Sequence, residues 1–314
     1  MANIIAIAGP TASGKSALAL GICRAVRGEI VSFDSMQIYK HMNIGTAKPT
    51  PDETAEIPHH LIDICEPTEK FSAADFVARA ARAVEDIHSR GNVAVLCGGT
   101  GLYLDSFLFG RNYGEIASDE ALRASLYDYA DANGVAALHK MLEALDPDAA
   151  AAIHENNVKR VVRAIEICKT SGMTKTEWDA QANLAPSREA DIIVLDFRDR
   201  EKLYARIDAR VDKMISDGLA EETETLYKSG ALAPDTTASQ AIGYKEMLPY
   251  VRGEIPLVEA TEALKLATRH YAKRQLTWFR KYGGTRLYVD DCKTSDELLS
   301  AAIRAIGGDD EKRN

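Results

Sequence analysis

Along the first 110 or so residues, short apolar runs alternate with longer stretches whose apolar positions recur every three or four residues. Ile4 to Ala8, Ile30 to Phe33, Leu61 to Ile64 and Val93 to Cys97 read as strands. Between them, Ala17 to Arg27 and Phe71 to Arg90 read as helices. In the second of these, Phe76, Ala80, Ala83, Val84 and Ile87 share one face, and Gly91 ends the pattern. Strand and helix in alternation predict a parallel sheet with helices on its faces.

From about Tyr113 the pattern is helical almost throughout, broken at Asn133-Gly134, Asp146-Pro147 and Ser171-Gly172, until a strand-like run over Asp191 to Asp196. After Phe197 the chain is again helical to Arg280, then gives a strand over Thr285 to Val289 and a helix from Ser295 to Ile306. The expected organisation is a core formed by residues 1–112 and 196–314 and a helical insertion over 113–195.

Composition adds three constraints. With 314 residues, 46% of them hydrophobic, the chain can bury a substantial core. Its apolar start ends in Gly9-Pro10 without the basic flank of a signal peptide, and no stretch approaches the roughly eighteen apolar residues of a membrane span; no membrane association and a cytoplasmic location are expected. The net charge of −9 argues against indiscriminate nucleic-acid binding. It leaves room for a local basic groove, because Lys265, Arg269, Lys273, Arg274, Arg280, Lys281 and Arg286 occupy a segment with no Asp or Glu. The acidic Asp309-Asp310-Glu311 tail reads as a solvated end.

The five cysteines, Cys23, Cys65, Cys97, Cys168 and Cys292, form no CxxC pair and read as reduced core residues. His59-His60, followed by Asp63, reads as the polar start of a strand more readily than as a metal site.

Gly9-Pro-Thr-Ala-Ser-Gly-Lys-Ser16 satisfies G-x-x-x-x-G-K-[ST] and sits between a strand and a helix. The fold class expected is therefore α/β: a P-loop NTPase-like parallel sheet flanked by helices, with an inserted, mostly helical subdomain. In such a loop, backbone N–H groups point at phosphate oxygens at the positive end of the following helix. Gly9, Pro10, Thr11, Ala12, Ser13, Gly14, Lys15 and Ser16 are the candidate diphosphate cradle, and the Ser16 hydroxyl can meet a Mg²⁺ ion that bridges phosphates. Alone, the motif implies ATP or GTP chemistry.

Further blocks change that reading. Together with the P-loop, Asp34-Ser-Met-Gln-Ile-Tyr-Lys40, Gly45-Thr-Ala-Lys48 and Gly98-Gly-Thr-Gly-Leu-Tyr103 resemble the tRNA dimethylallyltransferases, also called tRNA isopentenyltransferases, in order and spacing. The blocks from Lys159 to Glu166, Ala241 to Glu246 and Tyr271 to Arg280 are similar to the later blocks of that family, so the resemblance spans nearly the whole chain. It implies transfer of a dimethylallyl group from dimethylallyl diphosphate to the N6 amine of an adenine next to the tRNA anticodon, at position 37; Mg²⁺ is the cofactor expected at Ser16, and a monomer is the default expectation. The chain stops near residue 314 without the zinc-finger extension of eukaryotic relatives, which implies the bacterial type.

By resemblance, Asp34 hydrogen-bonds the amine and accepts its proton, Thr100 assists, and Ser35, Met36 and Gln37 read the base. On physical grounds alone Asp34 could also cap a turn or hold Mg²⁺, and Thr100 could equally cap a turn or helix. The resemblance assigns tRNA contacts to Arg123, Lys159, Arg160, Val161, Val162 and Arg163, to Gln240, Gly243, Tyr244 and Lys245, and to Lys273, Arg274, Gln275, Trp278 and Arg280. Arg210 is assigned to the donor diphosphate. The spacing of Lys159, Arg160 and Arg163 gives one basic helical stripe, which a solvated face would also show. Lys273 to Arg280 mixes cations with Trp278 and Phe279, suited to phosphate contact with base stacking or to a buried aromatic face. The target base must be drawn out of its stack to meet a recessed donor. The rival readings are an adenylate isopentenyltransferase acting on free AMP, ADP or ATP, a small-molecule kinase, and a non-catalytic RNA-binding P-loop protein.

Overall fold

In the computed structural model, which describes residues 4–110, 119–182, 188–234 and 236–307, six strands form one sheet. They are β1 (Ile4–Ala8), β2 (Gly28–Ser32), β3 (His59–His60), β4 (Val93–Cys97), β5 (Asp191–Asp196) and β6 (Thr285–Tyr288). Their order is β3-β2-β4-β1-β5-β6, and every pair is parallel. The central strands are apolar on both faces because helices cover both: Ile5, Ala6, Ile7, Val31, Val95 and Leu96 are fully buried.

One face packs against the helices Lys15–Val26 and Ser295–Gly307 through Leu18, Ile22, Leu298 and Ala302. The helix Ala73–Ser89 supplies Phe76, Ala80, Ala83, Val84 and Ile87 as its buried stripe. Its start is fixed by a capping box in which Ser72 and Asp75 satisfy each other's backbone N–H groups.

A buried carboxylate ties the start of this sheet together. Glu29 on β2 accepts from Arg90, from Asn92 and from His60 on β3. Arg90 first, then Asn92 and His60, hold its carboxyl down at about 2 against the opposing effect of burial. His59 bonds instead to the Ile57 carbonyl. Both imidazoles thus have structural partners.

The chain forms two compact units, one holding the residues up to Phe107 and from Glu189 onward, the other Leu108–Arg188. The strand Asp191–Asp196, expected inside the insertion, pairs with β1 and β6 and so belongs to the sheet. In the second unit the helices Glu120–Asn133, Val135–Leu145, Pro147–Ala152, Val158–Ser171 and Lys175–Ala182 enclose a core that includes Leu126, Leu138, Leu142, Val161 and Ile165. The expected start of the insertion at 113 and the acidic tail over 309–311 lie outside the described residues.

The expected strand over Leu61 to Ile64 does not form. Leu61 and Asp63 take left-handed backbone angles, φ 63° and 56°, so the chain turns. The turn is held by the N–H groups of Asp63 and Ile64, which donate to the carbonyls of Gln37 and Ile38, and by Lys48, which reaches the Asp63 carboxylate. Cys23, Cys65 and Cys97 are buried, Cys168 and Cys292 half-buried, and all five are free thiols. No helix among the described residues is long and apolar enough to cross a membrane.

Candidate active site

Three adjacent strands deliver the candidate chemistry from their carboxyl ends, where open α/β sheets bind ligands. After β1 comes the loop Gly9 to Ser16, after β2 Asp34, and after β4 Thr100. A cavity of about 310 Å³ joins the first two: Thr11, Asp34, Ser35, Met36, Gly45, Thr46, Arg210, Tyr271 and Arg274 line it, together with Gln240, Ala241, Ile242 and Gly243. Val211, Met214 and Leu264 make part of the wall apolar.

Gly14 is the N-cap of the helix Lys15–Val26 with φ 90°, a left-handed angle that a side chain would oppose. The N–H groups of the first helical turn have no intrahelical carbonyl to meet and carry the positive end of the helix dipole. Lys15 Nζ donates to the Pro10 carbonyl at 2.7 Å. Burial lowers its ammonium from 10.5 to about 8, with Cys97 and Asp34 opposing and Arg210 adding to the fall. Arg210 too is lowered, by burial, with Asp34 opposing. Two cations held near one another in a partly dehydrated site favour a polyanionic ligand.

Ser16 is exposed at the start of the same helix. Among the described residues no cluster of three His, Cys, Asp or Glu side chains could hold a metal by itself. The exposed Ser16 hydroxyl is a hard oxygen donor of the kind Mg²⁺ accepts, and would hold such an ion together with a bound anion.

On the acceptor side, one Asp34 oxygen takes the Met36 N–H at 2.9 Å. The Thr100 hydroxyl accepts from the Ser35 N–H at 2.9 Å and lies 3.1 Å from the Ser35 hydroxyl. Tyr271 lines the same cavity; burial first, then the charge of Asp34, raise its phenol above the usual range. Gln37 serves the scaffold, because its amide donates to the carbonyls of Thr46 and Ala47 and accepts from Ser32.

The IPP transferase model matches residues 37–282 of this chain. A tRNA dimethylallyltransferase of Thermoanaerobacter sp. (strain X514) is 42% identical over 309 residues, covering 98% of each chain. The crystal structure of a full-length tRNA isopentenylpyrophosphate transferase from Bacillus halodurans superposes with a TM-score of 0.73 at 42% identity, over 98% of this chain and 97% of that one. A eukaryotic dimethylallyltransferase described as acting on tRNA gives a TM-score of 0.82 at 28% identity, over 99% of this chain and 80% of that one. The chain belongs to the IPP transferase family.

Set against that family, several expected contacts are placed differently by the structure. Val161 and Val162 are buried in the core of the helical unit, so their side chains pack and do not face RNA. Tyr244 is fully buried, and its phenol donates to Glu222 at 2.6 Å. Gly243 is buried as well. Gln275 is only 5% exposed: its carbonyl oxygen accepts the Thr11 N–H, and its amide donates to the Gly99 carbonyl. Thr11 N–H is therefore turned away from the phosphate cradle. Trp278 is half-buried against Gly101, where a Cβ would collide with the indole, and Lys281 sits over its ring at 4.5 Å.

Arg123 and Arg163 both bond Glu166, which is fully buried. Burial alone would raise that carboxyl; Arg163, Arg123 and the Asp119 N–H outweigh it and leave it lowered. Lys159, Arg160, Gln240, Lys245, Lys273, Arg274 and Arg280 are exposed. The basic segment is narrower than its composition implied. Lys265 pairs with Asp212, Arg269 with Asp208, Lys281 with Asp105 and Arg286 with Asp196. Among the described residues Lys273, Arg274 and Arg280 have no carboxylate partner.

The sequence reading missed Arg206, whose guanidinium donates to the Ala12 carbonyl at 2.8 Å one helical turn before Arg210. The i, i+4 spacing of Arg206 and Arg210 was the available signal. It also missed Tyr271, which no local pattern distinguishes from a core aromatic.

Proposed function

We propose that this chain transfers the dimethylallyl group of dimethylallyl diphosphate to the N6 amine of the adenine on the 3′ side of a tRNA anticodon, position 37, with release of diphosphate. The observation that carries this reading is the meeting of Thr11 of the P-loop, Arg210 and Asp34 around one cavity in a chain of the IPP transferase family. A phosphate cradle facing a carboxylate and a partly apolar wall suits a donor with a charged head and a hydrocarbon tail.

In the reaction, the adenine nitrogen forms a bond to the first carbon of the donor while the bond from that carbon to the diphosphate oxygen breaks. Lys15, Arg210 and the N–H groups at the start of the helix Lys15–Val26 stabilise the charge that grows on the departing diphosphate. Asp34 accepts the proton released by the amine. Ser35 and Thr100 hold the Asp34 segment through their hydrogen bond. When bound at Ser16, Mg²⁺ would neutralise further charge on the diphosphate. Lys159, Arg160, Lys273, Arg274 and Arg280 are the cations offered to RNA phosphates, and the chain acts as a monomer in the cytoplasm.

Incubation with Mg²⁺, radiolabelled dimethylallyl diphosphate and either unmodified tRNA or AMP tests the reading. Label is expected in tRNA. Label in AMP, or ATP turnover without prenyl transfer, contradicts it.

A further inference from the structure

The β1–β4 backbone pairing ends at Ile7 and Cys97, short of both loops that carry the candidate chemistry. Beyond that point, the Gln275 side chain bridges them. Its Oε1 accepts from the Thr11 N–H at 2.8 Å in the donor loop, and its Nε2 donates to the Gly99 carbonyl at 3.0 Å, next to Thr100. The amide orientation is fixed, because a backbone N–H can only donate and a carbonyl can only accept. No space is left at the Gly99 end: a Cβ there would meet the Gln275 amide nitrogen.

We propose that Gln275 is a positioning residue that sets the separation of the donor loop from the acceptor loop, acting through Thr11 and Gly99 without touching either substrate. Displacement at carbon needs nucleophile, carbon and leaving oxygen in register, and a misplacement of about 1 Å reduces the rate on the order of a hundredfold. Both polar ends of Gln275 are engaged by backbone groups and the residue is buried, which shields it from RNA. Its amide is the one neutral side-chain group type that offers a carbonyl acceptor to one loop and an N–H donor to the other.

The inference rests on the proposed prenyl transfer. If wild-type protein moves no label to tRNA, that reading fails before any variant is compared. Given an active wild type, Gln275→Met removes both hydrogen bonds at similar volume. The single-turnover rate is expected to fall about 30- to 100-fold, while tRNA and donor affinities stay within about threefold of wild type. Gln275→Glu keeps the acceptor for Thr11 and loses the donor for Gly99 until its carboxyl is protonated. Its rate relative to wild type at the same pH is therefore expected to rise as pH falls from about 8 to about 6. Rates within about threefold of wild type, or a defect confined to tRNA affinity, would overturn the proposal. If the Met variant melts below the assay temperature, the pH ratio of the Glu variant decides, and a flat ratio overturns it.

Discussion

Lys15 sits where folding and ligand binding make opposite demands on one ammonium. Burial lowers it from 10.5 to about 8, so the folded protein binds its proton less tightly than the unfolded chain. The resulting destabilisation is fully present below about pH 8 and is relieved as pH rises from there towards 10.5. A bound diphosphate reverses the balance by favouring the charged form. Donor binding near pH 8.5 should therefore take up protons, visible by calorimetry in buffers of different ionisation enthalpy, and donor affinity should fall as pH rises through about 8. In Lys15→Arg both effects should vanish, because a guanidinium stays charged throughout that range. The cradle was legible at this scale because its residues are contiguous and its chemistry depends on backbone shape. Gln275 and Tyr244 were not, since their partners, Thr11 and Gly99 for one and Glu222 for the other, lie far off in the chain. A polar side chain looks the same in sequence whether it meets RNA or a buried peptide group.

At the scale of elements, the helix Val158–Ser171 carries two duties, one in its middle and one in its first turn. Inward, Glu166 gathers Arg123, Arg163 and the Asp119 N–H. Outward, Lys159 and Arg160 are exposed. Removing a fully buried carboxylate breaks its bonds to two guanidinia and to the Asp119 N–H, so Glu166→Ala should destabilise the protein by about 3 kcal/mol in chemical denaturation. Arg160→Ala should change stability by less than about 0.5 kcal/mol and act on tRNA affinity alone. A stability loss in Arg160→Ala that matches Glu166→Ala would refute this division. Strands β1 and β4 and the helix Ala73–Ser89 were readable because a parallel sheet imposes near-continuous apolar runs and its covering helix a clear stripe. Leu61 to Ile64 misled because the run is apolar through packing in a turn, with Leu61 buried, and hydropathy does not record φ.

For the whole molecule, the net charge of −9 conceals a division of labour among its cations. Several of those on the helix Leu257–Phe279 and just beyond it neutralise carboxylates of neighbouring elements, while Lys273, Arg274 and Arg280 remain for a polyanion. Affinity for tRNA should fall steeply with salt despite the acidic total. Lys273→Ala and Arg274→Ala should each reduce the log–log salt slope by about one, whereas Lys265→Ala should leave it unchanged. Equal effects from Lys265 and Lys273 would show that the carboxylate pairings do not persist in the complex. Which cations are engaged was beyond the sequence, because each pairing joins residues from different elements.

The central claim is that a phosphate cradle holds the departing half of an isoprenoid donor while Asp34, on a neighbouring strand end, takes the amine proton. Its most direct test is the single-turnover rate of prenyl transfer to tRNA by Asp34→Asn at saturating substrates. The Asn side chain keeps the shape and loses the basic oxygen. The rate should fall by about 10² to 10⁴ with tRNA and donor affinities little changed, and a rate equal to that of wild type would contradict the account.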